Sequence, residues 1–270
     1  MISALALAAL GTQSLAPWSG SPVFRDEFDR GLDPKKWQAI DQTRTGGQSK
    51  WDPAMVEVKN GKLIIKILRK PDGLPRYISG AIRTRKDYDP KQTMYEKKFG
   101  YFEIQATLPK NLKMDTWFAF WMMTGDIRDG QDDSTKGTEI DIMESFFAHR
   151  GEIGHNLHWG GYGAGHNSYG TGVNAPQVTD GKPHTYGMLW TPTEYIFYID
   201  RKETWRTDMI GVGTKPTAKS KGVSQVPGYL KLSVEAATWA GPTNDWDMGG
   251  ISEDQVEVEY VRVWEYRKPR

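Results

Sequence analysis

The sequence predicts an all-β fold, an antiparallel β-sandwich, on three observations. Aromatic residues make up 12% of the 270 residues, with 11 Trp and 12 Tyr, and 29 Gly punctuate the chain. Alternating or continuously apolar segments bounded by Gly, Pro, Asn or Asp recur along its length. Runs with the periodicity of a long amphipathic helix are absent. Strands at that density with short turn-rich connections read as an antiparallel sandwich or barrel.

Taken in order, the first clear strand is 62–67, Lys62-Leu63-Ile64-Ile65-Lys66-Ile67, entered through the turn pair Asn60-Gly61. Segment 78–85 follows, and then 101–107, Tyr101-Phe102-Glu103-Ile104-Gln105-Ala106-Thr107, after Gly100. Further strands are predicted over 116–122, 139–144, 154–159, 184–190, 195–200, 229–236 and 256–266. Two stretches break this rhythm: an acidic loop over 125–136 and a loop over 160–174 rich in Gly, His, Asn and Tyr. Both adjoin strand 139–144, and long polar loops beside a strand scaffold are where binding resides. No break in composition and no repeat divides the chain, so residues 17–270 are read as one domain.

Residues 2–10 are apolar and are followed by Ser14-Leu15-Ala16, the small-x-small pattern of a signal-peptidase site. Residues 1–16 are therefore expected to be a signal peptide and the protein to be secreted or periplasmic. That run is too short to span a bilayer and none later is long enough, so membrane insertion is not expected. Lys and Arg number 35 against 34 Asp and Glu, a net charge of +1, which offers nucleic acid no overall attractive field. The absence of Cys excludes disulfides, a thiolate nucleophile and Cys-ligated metal. There is also no Ser-His-Asp spacing, no His-Glu-x-x-His and no phosphate loop.

What remains is chemistry by carboxylates, and one strand concentrates them: Glu139-Ile140-Asp141-Ile142-Met143-Glu144. In an extended chain Glu139 and Asp141 share a face and Glu144 falls on the other. A β-bulge near Ile142-Met143 would return Glu144 to that face. Three acids in a row repel and resist desolvation, so structure alone does not favour them. With about 3.4 Å per residue the outer two α-carbons lie roughly 13 Å apart, and inclined side chains could bring the carboxyls to about 5 to 6 Å, the separation of a retaining glycosidase. Coupling through Asp141 would help keep one Glu ionised and the other protonated. On helices the same E-x-D-x-x-E spacing is merely solvated; the interleaved Ile residues and the aromatic segment upstream favour the strand.

Trp117 and Trp121 share parity with Ala119 and are candidates for stacking on sugar rings, core packing being the alternative. Trp37, Trp190 and Trp264 are assigned to packing. Asn156 and His158 would share one face of strand 154–159. Arg83 is a candidate for binding sugar hydroxyls, with an ordinary ion pair as its plain alternative.

At these residues the sequence resembles glycoside hydrolase family 16, the laminarinase, lichenase, agarase and carrageenase group. The resemblance runs from Phe24-Arg25-Asp26-Glu27-Phe28 through Ser79-Gly80-Ala81-Ile82-Arg83-Thr84, Phe99-Gly100-Tyr101-Phe102-Glu103, Trp117-Phe118-Ala119-Phe120-Trp121-Met122 and the carboxylate strand. It continues to Leu189-Trp190-Thr191-Pro192 and Val258-Glu259-Tyr260-Val261-Arg262-Val263-Trp264. It implies a concanavalin-like jelly roll with a cleft on the concave sheet, Glu139 as nucleophile, Asp141 as the assisting carboxylate and Glu144 as acid/base. The two residues between Asp141 and Glu144 are those of the bulged branch, which holds laminarinases and agarases. His158 matches the family's histidine after the catalytic strand. Trp239, in Thr238-Trp239-Ala240-Gly241-Pro242, resembles its cleft-side Asn-Trp-Pro-Gly segment.

No cofactor is then required, although a structural Ca2+ held in part by Asp26 or Asp129 is compatible with the family. The expected partner is a polysaccharide and the expected state a monomer. The favoured substrate is a β-1,3- or β-1,3-1,4-glucan. The alternatives are a β-galactan (agar, porphyran or a host O-glycan) and, outside enzymes, a noncatalytic lectin-like module, against which three aligned acids argue. The chain departs from laminarinases at Trp117-Phe118-Ala119, where those commonly carry Trp-Pro-Ala. The segments Ser145-Phe146-Phe147 and His155-Asn156-Leu157-His158-Trp159 match no defined specificity.

Overall fold

Two sheets face one another and share one apolar layer. A computed structural model describes residues 16–44, 49–70, 74–109, 116–125, 127, 133–146, 151–210, 220–236 and 252–268. The seven-stranded sheet that concerns function contains β1 (Gln38–Ala39), β2 (Ala81–Arg83), β3 (Thr116–Gly125), β4 (Gly137–Phe146), β5 (Glu152–Trp159), β6 (Asn167–Asn174) and β7 (Gly228–Ala236), in the spatial order β6-β5-β4-β3-β7-β2-β1. Opposite it lies an eleven-stranded sheet built around Gly100–Thr107, His184–Trp190, Ser252–Trp264 and Lys62–Arg69. Pairing is antiparallel, except that Ser49–Trp51 runs parallel to Tyr77–Ser79, the one such pair among the described residues.

Alternation explains the layer. In β3 the even-numbered Phe118, Phe120 and Met122 point inward, and in β4 Ile140 and Ile142 do the same; they meet Phe102, Ile104, Ile65 and Val258 of the other sheet in one buried cluster. Burying a side chain of this kind contributes about 1.5–3 kcal/mol. The odd-numbered Trp117, Ala119 and Trp121 point the other way and form a second, smaller cluster with Ile40, Trp51 and Ala81 on the outer face.

Segment 78–85 is not one strand. The chain leaves the eleven-stranded sheet after Ser79 and enters the seven-stranded sheet at Ala81. Gly80 at the crossing has no room for a side chain: a Cβ there would lie 2.5 Å from the Met55 carbonyl oxygen. The loop over 160–174 likewise ends in strand β6, whose glycine-rich sequence hides a regular alternation of half-buried and exposed positions. The short strands near the N-terminus carry too little periodicity to be read locally. No helix of the described residues is long and apolar enough to cross a membrane. Residues 1–15 and Asp129 lie outside the described residues. Asp26 does not fit a calcium ligand: its oxygens accept from the Phe28 amide (3.0 Å) and Trp37 Nε1 (2.9 Å), with Lys36 Nζ 3.5 Å away.

Candidate active site

The outer face of the seven-stranded sheet is organised in rows that cross the strands. One row runs Gly170, Asn156, Asp141, Trp121, Lys231, Arg83, Gln38, each residue paired with the next on the neighbouring strand. A second runs His158, Glu139, Met123, Tyr229, and a third Gly154, Glu144, Ala119, Ser233, Ala81. Side chains opposite one another across a pair share a face, so the three acids and the odd-numbered residues of β3 look outward together.

The phase of Glu144 is set by a bulge. Asp141 pairs with Asn156 and Glu144 with Gly154, so Ile142 and Met143 together stand opposite the single residue His155. On the other side Trp121 pairs with Asp141 and Phe120 with Met143, leaving Ile142 as the extra residue. This is the interruption that the spacing of the acids requires.

Asp141 and Glu144 are both buried. Desolvation, and then the charge of Glu139, drives the Asp141 carboxyl well above the ordinary carboxylate range, against a smaller opposing pull from Lys231. Glu144 is pushed up to about 8, chiefly by desolvation and then by Asp141, while the Asn156 hydrogen bond and the charge of His158 oppose the shift. Asn156 Nδ2 donates to Glu144 Oε2. His158 Nε2 lies 3.3 Å from Asp141 Oδ2, and its Nδ1 lies 2.9 Å from His166 Nε2. Glu139, Asp141 and His158 offer ligand atoms within 4.8 Å of one another, close enough for a divalent ion to bridge. The exposed Tyr162, in the turn before β6, donates its hydroxyl to Glu139 Oε2 and sits 3.7 Å from Met123 Sδ.

Beyond Trp121 the row becomes cationic. Lys231 Nζ lies 3.5 Å from the centre of the Trp121 ring, 5.0 Å from that of Trp51 and 5.4 Å from that of Tyr88, an aromatic enclosure around the amine. Burial holds the Lys231 amine well below its ordinary value, with Glu139 pulling the other way and Arg44 and Arg83 adding to the depression. Among the described residues no carboxylate oxygen lies within 4 Å of it. Arg44 is paired with Glu235 and covers Trp51. Arg83 is only 3% exposed; it donates to Gln38 and Asp87, stacks over Tyr88 at 4.0 Å, and leaves Nη1 buried without a hydrogen-bond partner.

Of the residues predicted from sequence, Glu139, Asp141, Glu144, Asn156, His158, Trp117, Trp121 and Arg83 are brought to this face, and Trp239 lies outside the described residues. Arg83 makes the ion pair that was its plain alternative, with Asp87, from a buried position. Trp37, Trp190 and Trp264 pack as expected. Sequence reasoning missed Lys231, Trp51, Tyr88, Tyr162 and His166. The alternation of Tyr229, Lys231, Ser233 and Glu235 in β7 was the available signal for Lys231. His155 is turned inward, away from this face, with Ile153, Leu157 and Trp159.

The family model described as "Beta-porphyranase A-D, GH16 domain" matches residues 18–266. A "Beta-glucanase" of Rhodothermus marinus is 30% identical over 262 residues, covering 90% of this chain and 85% of that protein. A "Beta-glucanase" of Acetivibrio thermocellus is 28% identical over 219 residues, 79% of this chain and 54% of the relative, so the chain spans about half the length of that protein. The catalytic domain of an endo-1,3-β-glucanase (laminarinase) from Thermotoga petrophila RKU-1 shares the fold with a TM-score of 0.71 at 24% identity, covering 92% of this chain and 98% of that one. A bulged strand that turns three acids to one face of a two-sheet sandwich, and a family model that matches from residue 18 to residue 266, converge on one assignment: the chain belongs to glycoside hydrolase family 16.

Proposed function

We propose that this protein is an endo-acting, retaining hydrolase of a β-linked polysaccharide, and that it works outside the cytoplasm, where such polymers are met. The observation that carries the reading is the bulge between Asp141 and Glu144, which gives one face three acids in unlike environments. Glu144, held protonated up to about pH 8, protonates the leaving oxygen. Glu139 attacks the anomeric carbon and forms the glycosyl ester; Glu144, now ionised, then takes a proton from the water that cleaves it. Asp141 lies between them and ties their titrations together. Trp117 and Trp121 are buried with Ile40, Trp51 and Ala81, so they form the packed floor of this face and not open stacking platforms, and His158 orients Asp141.

The β-glucanase names of the curated relatives support a β-1,3- or β-1,3-1,4-glucan as substrate. A second reading, a β-galactan bearing anionic groups, has its own support in the porphyranase description of the matching family model, in the Lys231 amine without a carboxylate partner among the described residues, and in Arg83 Nη1, which has no hydrogen-bond partner. The deciding experiment is a screen of purified protein on laminarin, lichenan, agarose, porphyran and mucin glycans, reading product size, with proton NMR of the first product. Oligosaccharides of retained configuration from one polymer are expected. An inverted first anomer, or normal turnover by Glu139→Gln, would overturn the mechanism.

A further inference from the structure

The bulge that aims Glu144 has a support on the side of the sheet facing the core. Ile142, the extra residue, pairs with neither neighbouring strand. A carbonyl left outside the ladder and shut away from water costs about as much as a lost hydrogen bond, so its partner matters. That partner is His155, the residue facing the bulge, whose Nδ1 lies 2.8 Å from the Ile142 carbonyl oxygen. The ring spans the layer between the sheets: its Nε2 lies 3.0 Å from Thr204 Oγ1 on the opposite sheet. Its ring centre is 4.8 Å from that of Phe197, and Trp205 lies parallel to it within 7° at 6.4 Å.

These partners fix the tautomer. A carbonyl only accepts, so Nδ1 carries the hydrogen, and Nε2 takes the hydroxyl hydrogen of Thr204. Burial pushes the imidazole down to about 4, so it stays neutral and the arrangement holds through the working pH range. The next residue, Asn156, reaches the outer face and holds Glu144 itself. Consecutive residues of β5 thus secure the backbone of the bulge from inside and its carboxyl from outside.

We infer that His155 is a positioning residue for the acid/base: by tying the Ile142 carbonyl of the bulge to Thr204 of the facing sheet, it keeps Glu144 in phase with Glu139 and Asp141. This rests on the retaining mechanism proposed above. It gives a buried histidine with no access to substrate a role distinguishable from packing.

A displaced acid/base impairs poor leaving groups, whereas an activated leaving group departs without a proton. The test compares the polysaccharide identified in the screen with a 2,4-dinitrophenyl glycoside of its oligosaccharide, with and without sodium azide. For His155→Leu, kcat on the polysaccharide is expected to fall ~10²-fold, a loss typical of misplacing a catalytic group by about 1 Å, with KM little changed. Formation of the glycosyl-enzyme from the dinitrophenyl glycoside should fall by less than about tenfold, and azide should accelerate turnover and yield the β-glycosyl azide. His155→Asn, whose Nδ2 can occupy the place of the ring Nδ1, should restore polysaccharide turnover to within about threefold of the parent. Equal losses on the two substrates, no azide response, or no loss at all in His155→Leu would overturn the role. Should His155→Leu not fold, Thr204→Val decides: the same split between substrates supports the role and equal losses refute it. Glu144→Gln run in parallel separates the two ideas, since absence of azide rescue there would refute the retaining acid/base assignment itself.

Discussion

Lys231 holds its Nζ 3.5 Å from the centre of the Trp121 ring, buried in the row that contains Asp141, and no carboxylate among the described residues pairs with it. Burial without a carboxylate partner disfavours the charged form of this amine, and an anionic ligand would favour it. Lys231→Met is therefore expected to raise Tm. On a polysaccharide carrying sulfate or carboxylate groups it should raise KM about tenfold to a hundredfold, the worth of a charge-assisted hydrogen bond, while leaving a neutral β-glucan nearly unaffected. Parallel kinetics on porphyran and laminarin, with thermal unfolding, check both halves.

The pH dependence follows from Glu144. Its protonated form is required for leaving-group departure, so kcat/KM should decline as pH rises through about 8. Asn156→Ala removes a hydrogen bond that favours the carboxylate and should move that limb to higher pH. Stability has its own sign: a carboxyl raised from 4.5 to about 8 favours the fold at low pH and loses that contribution as pH rises between those values. Glu144→Gln should thus gain stability on the parent across that interval and hold a constant advantage above it. Kinetic pH profiles and unfolding at several pH values measure the two effects.

Gly170 faces Asn156 across β5 and β6, and a Cβ there would lie 2.0 Å from Asn156 Oδ1. The missing side chain is what lets Asn156 reach Glu144. Gly170→Ala is expected to act as a weaker Asn156→Ala, with the basic limb moved up and kcat lowered several-fold, about the effect of one lost hydrogen bond. An unchanged pH profile would separate Gly170 from the site.

The Tyr162 hydroxyl donates to Glu139 Oε2 and leaves the other oxygen for attack. Tyr162→Phe should lower kcat/KM roughly tenfold to a hundredfold through the lost donor. Because the nucleophile serves every substrate, activated and natural glycosides should suffer alike, in contrast to His155→Leu. Rapid-quench measurement of the glycosyl-enzyme burst distinguishes the two.

The sandwich, the parity of Trp117 and Trp121, the acid strand and the need for a bulge before Glu144 are all legible in the linear chain. Each of these is a consequence of local geometry: side chains alternate every residue, and an E-x-D-x-x-E spacing cannot put all three acids on one face without an inserted residue. Tertiary structure alone decided the rest. Arg83, Trp121 and Lys231 become neighbours only through the pairing of β2, β7 and β3, which no local pattern encodes. The loop over 160–174 drew attention by composition, but that Tyr162 reaches Glu139 and His166 reaches His158 depends on how β6 returns along β5. His155 shows the difference most plainly. Its sequence neighbours gave no reason to prefer it over His158, and its partners, Ile142 and Thr204, lie on two different sheets. Side-chain direction within a strand is a one-dimensional property of the chain, whereas the groups that meet it across the sheet, and across the layer between sheets, are fixed by register and packing.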